Sequence, residues 1–378
     1  MSLCSLVAQT KIATSSDTIS FVKFSPDAKI ILMGKERGFV VKFGKALVSI
    51  RADSEELLCP LSEYLKEHIV ESKTFDAEID LGLKKIFSPI PTHSRLVLRY
   101  FAVKIFYLRG TMYFTDFRSY LTLYPDGKRA IGFISPDTLE ESGTHFFTHT
   151  FFTLALFEIL RHHGVYFIHS AGLISPEGTC YLFPAEGGQG KSTLSLYLIR
   201  QGYQYLSDDV IFLEGDSKDL RVLGFRKLSH LSEELLPRFA ELKALRNARN
   251  LDGKGKKIVD LDLVYPGKRV EQMSGKFIII FPKRVSESAS RLKALSALEG
   301  FHLLVSQSPF AFINPCLAHR HFQIIRDLLS RSRVWSMESS SDWIERPELL
   351  NELLSEASSV VQSQSFAEGR CDLERGTG

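Results

Sequence analysis

Residues 167–213 read FIHSAGLISPEGTCYLFPAEGGQGKSTLSLYLIRQGYQYLSDDVIFL, and this stretch decides the fold of the C-terminal half. Its centre, Ala185-Glu-Gly-Gly-Gln-Gly-Lys-Ser192, lies between an apolar strand pattern, Cys180–Phe183, and a helix pattern beginning near Lys191. That is the context of a phosphate-binding loop. Glycines at 187, 188 and 190 allow backbone conformations that a Cβ forbids, so successive N–H groups can point inward at a polyphosphate. The helix N-terminus adds unpaired donors and a partial positive charge. Lys191 is placed to reach the β- and γ-phosphates, and the Ser192 hydroxyl to ligate magnesium. The loop departs from G-x-x-x-x-G-K-[ST] at Ala185. Alanine fits there with negative φ, whereas a positive φ would cost about 1–2 kcal/mol.

A Gly-rich turn between a strand and a helix can also be mere punctuation. The flanks argue for more. Past the helix and the Gly202 stop, an apolar segment carries the pair Asp208-Asp209, and ahead of the loop another apolar segment carries His169. In one sheet these segments can lie side by side and bring all three groups to one rim. Carboxylates within the run Tyr205-Leu206 … Val210-Ile211-Phe212 would be costly if unpaired, which disfavours a solvated turn. Adjacent residues at a strand end point to opposite sides, so Asp208 and Asp209 can hold different tasks.

The His169 segment, the loop AEGGQGKS and Gly202-Tyr-Gln-Tyr-Leu-Ser-Asp-Asp209, in this order, resemble the HPr kinase/phosphorylase family and its wider set of HPr-kinase-like serine kinases. The resemblance implies an α/β P-loop kinase domain of the HPr kinase/phosphoenolpyruvate carboxykinase-like type over 141–354. It also implies ATP-Mg²⁺-dependent phosphorylation of a hydroxyl: serine in a protein or peptide precursor, or free serine. Asp208 is then the general base, His169 a γ-phosphate contact or modulator of that base, and Lys191 the phosphate cation. Ala185, Glu186, Gly187, Gly188, Gln189, Gly190, Lys191, Ser192 and Thr193 line the nucleotide, and Ser192 and Asp209 attend the metal. The glycine-rich Glu-Ile-Arg-Gly-like signature of true HPr kinases is not found beyond Phe225, and Glu233 is left unassigned. Arg226, Lys227, Lys254, Lys256 and Lys257 are candidate cations for the transition state. Two rivals are an ATP-binding regulatory module that transfers nothing and a phosphoenolpyruvate carboxykinase-type enzyme.

The 378 residues are enough for two domains, each with a sizeable core. With 44% apolar and 24% charged residues and a net charge of +3, composition is that of an ordinary globular protein and points to no nucleic-acid or membrane partner. Five cysteines (4, 59, 180, 316 and 371) form no Cys-x-x-Cys pair, arguing for a reducing compartment. No apolar run has the length of a membrane span and no signal peptide is apparent, so a cytoplasmic protein is expected. Assembly with further copies of the chain is left open.

Residues 1–140 read as a β-rich α+β domain of unknown role. Strand patterns cover Thr18–Ser25, Lys29–Met33, Gly38–Phe43 and Ala46–Arg51, and further strands fill Leu96–Ile134 around the Tyr124-Pro-Asp-Gly127 hairpin signal. Ser54 starts a helix whose apolar face is Leu57, Leu58, Leu61, Leu65 and Ile69. Thr144–His163 reads as a helix stopped by Gly164, with His162 and His163 compensating its dipole rather than binding metal. His319 and His321 have too few partners for a metal site. After the strands Val165–Ile174 and Thr179–Phe183 around the Pro176-Glu-Gly178 turn, and the Glu214–Asp216 hairpin, helices are expected over Ser232–Arg246, Ser290–Ser306 and Ala318–Leu329. Phe277–Phe281 reads as a buried strand, and 355–378 as a disordered tail.

Overall fold

The computed structural model describes residues 31–33, 36–85, 90–141, 144–226, 229–242, 256–286 and 289–359. The expected strand Thr18–Ser25, the cations Lys227 and Lys254, and the tail from 360 onward lie outside the described residues. The architecture is mixed α/β, built on two large sheets.

Strands β1 (Ile31–Met33), β2 (Glu36–Phe43), β3 (Ala46–Ala52), β4 (Ile69–Val70), β5 (Ala77–Leu83), β6 (Arg95–Tyr100), β7 (Val103–Leu108), β8 (Thr111–Thr115), β9 (Tyr120–Leu123) and β10 (Arg129–Ile134) form the first sheet. Their order is β1-β2-β3-β5-β10-β9-β8-β7-β6, with β4 on β2. β5, absent from the sequence reading, lies between β3 and β10 and pairs in parallel with both. Its alternation Ala77, Ile79, Leu81 buries one face of the sheet. Helix α1 (Glu55–Leu65) packs there because Ser54 Oγ accepts from the Glu56 N–H at 3.1 Å, while Leu57, Leu58, Leu61 and Leu65 are fully buried. After β10 a short helix, α2 (Pro136–Glu140), is capped by Ser135.

The chain from Thr144 becomes helical with a π-helical stretch, Phe147–Phe152, before α3 (Thr153–His162). Gly164 (φ 79°) ends it as expected. Burial, and next the charges of His163 and Arg161, push the His162 imidazole down to about 4. It is therefore neutral at pH 7 and does not compensate the helix dipole.

The second sheet comprises β11 (Val165–Ile174), β12 (Cys180–Pro184), β13 (Gln204–Ser207), β14 (Val210–Glu214), β15 (Arg221–Gly224), β18 (Gln272–Ser274), β19 (Phe277–Arg284), β20 (Arg291–Ala294) and β21 (Ser332–Ser339); β16 (Ser229–Ser232) and β17 (Lys256–Val259) pair separately. The order is β18-β15-β14-β11-β12-β19-β21-β20, with β13 on β11. On one face lie α4 (Lys191–Arg200), with α8 (Asp342–Glu345) and α9 (Glu348–Ser359), over Ala171, Phe183, Ile278, Ile280 and Met337. On the other lie α6 (Ala297–Ser306) and α7 (Pro315–Ser330), over Ile168, Leu182, Ile279 and Val334. A one-turn helix, α5 (Leu261–Val264), precedes β18.

Three sequence expectations need correction. Residues Ser232–Arg246 do not form an α-helix where they are described: Glu233–Arg238 is a 3-10 helix containing Pro237, which lacks an N–H and disfavours the α conformation at Leu236. The helix expected over Ser290–Ser306 is a strand, β20, followed by α6. The Ser296/Glu299 capping box sets the true start of that helix. Finally, α9 runs past Ser355 to Ser359, burying Ala357 and bonding Ser358 Oγ to Tyr181 Oη at 2.5 Å.

One apolar core runs from the first sheet into the second. Phe225 has ring contacts with Phe43, Tyr64 and His68 from the N-terminal part and with Phe157 and Phe212 from the C-terminal part. A chain beginning at Thr144 would leave Phe157, Phe212 and Phe225 facing water. It is expected to show no cooperative unfolding transition by denaturant titration; a cooperative transition would refute this dependence.

His68 is part of that junction, stacked on Phe43 with centroids 4.2 Å apart. Burial, and next the charge of Arg269, push its imidazole down to about 4. As pH falls below about 6.5 the unfolded chain takes up this proton first, so stability is full above that pH and declines towards pH 4. The decline amounts to about 3 kcal/mol for a shift of this size. His68→Phe keeps the ring and removes the proton, so its unfolding free energy should fall less between pH 7 and pH 4 than that of the wild type. Parallel pH profiles would exclude the effect.

Candidate functional site

Strand β11 organises the site. On one edge, Ser170 is level with Pro184 of β12, which places His169 level with Ala185. On the other edge, His169 is level with Val210, and the Ser170 N–H donates to the Asp209 carbonyl at 3.0 Å. Neighbouring strands are about 4.8 Å apart, so the loop entrance, His169 and the Asp208-Asp209 bend share one row about 10 Å across. The bend interrupts what is otherwise one strand: β13 and β14 both run along β11, and the two aspartates occupy the break.

The loop has the backbone that its glycines permit. Gly188 (φ 88°) and Gly190 (φ 92°) are left-handed, and Ala185 is not among the described non-glycine residues of positive φ, so alanine sits there without strain. Helix α4 begins at Lys191 directly after Gly190. The Lys191 ammonium is buried and donates to the Ala185 and Glu186 carbonyls at 2.5 and 3.1 Å. Gln189 Oε1 accepts from the Arg284 backbone N–H at 2.8 Å, tying the loop to the end of β19. Ser192 and Thr193 are half-buried in the first turn of α4.

The two aspartates have different surroundings. Asp209 is half-buried, and its Oδ1 accepts from the His169 Nε2–H at 2.7 Å. A carboxylate only accepts, so this contact assigns the ring proton to Nε2. The partnership was not foreseen from sequence, where Asp209 was expected to attend only the metal. Asp208 is buried and lines a pocket of about 10 Å³, room for one water, with Tyr205, Ser207, Arg226, Asp262 and Arg269. There Arg226 pairs with Asp262 at 2.7 Å and with Glu67, while Tyr205 Oη donates to Asp262. Burial, and next the hydrogen bond to Asp262, push the Tyr205 phenol up. Glu67 could not have been found from sequence, because nothing local links it to position 226.

Among the other candidate cations, Lys257 is buried and pairs with Glu233 at 3.1 Å, and Lys256 lies in β17. His321 is fully buried, and burial holds it well below the usual histidine range. Cys180 is buried too, which pushes its thiol up and makes it unreactive. Among the described residues no group of three or more His, Cys, Asp or Glu side chains could hold a metal ion, and no helix is long and apolar enough to cross a membrane. A larger open cleft of about 520 Å³, lined by Lys42, Lys45, Val70 and Arg221, touches none of these site residues.

No protein-family model matches the chain, and no curated protein matches it in sequence. Among solved structures, the Hpr(Ser) kinase/phosphatase from Coxiella burnetii is similar at TM-score 0.28 and 17% identity, over 51% of this chain and 95% of that chain. A likeness of this degree assigns no role to any residue.

Proposed function

We propose that residues 141–354 form a P-loop kinase unit that transfers the γ-phosphoryl group of ATP to a hydroxyl, most plainly that of serine in a protein, a peptide or the free amino acid. Residues 1–140 complete its core and take no part in the chemistry. The observation carrying this reading is the row on β11, where the start of a glycine-rich strand–loop–helix turn, a histidine and a carboxylate pair lie on adjacent strands.

In this reading the N–H groups of 187–190 and the α4 N-terminus receive the phosphates, and Lys191 exchanges its bonds to the Ala185 and Glu186 carbonyls for the β- and γ-phosphates. The donor set fits Mg²⁺ carried in on the nucleotide, which takes one or two protein oxygens and fills its other positions with phosphate and water. Ser192 and Asp209 would hold it, the latter while still bonded to His169, since a carboxylate has about four acceptor positions. The ion would neutralise charge on the transferring phosphoryl group. Asp208 takes the proton as the acceptor oxygen forms its bond to phosphorus; the bond from phosphorus to the β–γ bridging oxygen breaks, and ADP leaves. His169, oriented by Asp209, faces the same row.

Incubation with γ-labelled ATP, Mg²⁺ and serine, serine-containing peptides or HPr is expected to place the label on a hydroxyl. Tight ATP binding with no transfer to any hydroxyl acceptor would instead mark a nucleotide sensor.

A further inference from the structure

We infer that Arg284 is the second cation of the nucleotide site, contacting the terminal phosphate from the end of β19; this rests on the nucleotide reading above. β19 is the parallel neighbour of β12, with Cys180 level with Phe277 and Leu182 with Ile279. The strand that feeds the loop and the strand that ends in Arg284 therefore finish at the same edge. In open α/β sheets, ligands sit outside the carboxyl ends of such parallel strands.

Side-chain alternation selects Arg284 over its neighbour. Ile278 and Ile280 of β19 pack into the core beneath α4, whereas Phe277, Ile279 and Phe281 pack on the opposite face. Continued along the strand, this period of two puts Arg284 on the α4 side and Lys283 on the other. The Gln189 bond to the Arg284 N–H, at 2.8 Å, holds that position against the loop.

Charge supply points the same way. Arg226 is occupied by Glu67 and Asp262, and Lys257 by Glu233. Arg284 is exposed and has no ion pair among the described residues. A guanidinium presents a planar fork suited to phosphate oxygens and keeps its charge at any working pH.

The test is equilibrium binding of ATP and ADP, each with Mg²⁺, to the full chain and to Arg284→Ala, Arg284→Lys, Gln189→Ala and Lys283→Ala. Arg284→Ala should weaken ATP binding about tenfold, the scale of one charge-assisted contact, and ADP binding much less. Arg284→Lys should restore part of the preference for ATP. Gln189→Ala should give an intermediate loss, and Lys283→Ala should match the wild type. An unchanged ATP-to-ADP ratio in Arg284→Ala, or an equal loss in Lys283→Ala, overturns the assignment. If the wild type binds neither nucleotide, the nucleotide reading itself has failed, and that outcome is separate from a silent Arg284.

Discussion

Replacing Lys191 by alanine is expected to lower phosphoryl transfer about 10²–10³-fold, the usual consequence of removing one preorganised electrostatic contact to the reacting group. ATP affinity should fall with it, because no other long cation emerges from the loop itself. The sequence suggests that such a lysine is exposed and contributes little to stability. The structure corrects this: Lys191 is 6% exposed and closes the loop on the Ala185 and Glu186 carbonyls. The substitution therefore also removes two loop contacts and should cost about 1–3 kcal/mol of stability. Measuring affinity and turnover well below the variant's own unfolding midpoint separates the two effects. A folded Lys191→Ala protein with unchanged ATP binding and turnover would end the nucleotide assignment.

Asp208→Asn should lower transfer by about two to four powers of ten while leaving ATP affinity nearly unchanged, because the amide keeps the shape but loses the basic oxygen. Asp209→Asn should behave differently. It weakens Mg²⁺-dependent nucleotide binding, and it also releases His169, whose Nε2–H donates to that carboxylate. An asparagine can present either an acceptor or a donor to that ring, so the variant should show an altered pH dependence of transfer that Asp208→Asn lacks. Titrating ATP with and without magnesium, beside the pH profile of transfer, distinguishes the two carboxylates. Wild-type transfer by Asp208→Asn would remove it from the role of base.

Local chemistry determined much of what was legible in the sequence. Ser54 with its two following glutamates placed α1, Pro176-Glu-Gly178 placed the turn between β11 and β12, and Tyr124-Pro-Asp-Gly127 placed the β9–β10 hairpin. Each of these signals acts within a few residues, through a cap or a left-handed glycine. Where local signals conflicted, the apolar period misled: Pro237 overrode the helix pattern after Ser232, and the capping box at Ser296 moved the next helix start behind a strand.

For the candidate site, the order histidine, glycine-rich loop, aspartate pair was readable, because a strand–loop–helix turn and two flanking apolar segments are properties of consecutive residues. The sequence by itself thus determined which chemical groups the C-terminal half carries and that they could meet at one rim. The tertiary structure alone decided who touches whom. Register along β11 set Asp209 against His169, parallel pairing of β12 with β19 brought the Arg284 N–H to Gln189, and packing of the first sheet's end against the second brought Glu67 to Arg226. It also decided that the first sheet completes the core around Phe225. The physical reason is common to all of these: a contact between residues far apart in the chain depends on strand pairing and on the burial of shared apolar surface, and neither is written in any short window of sequence.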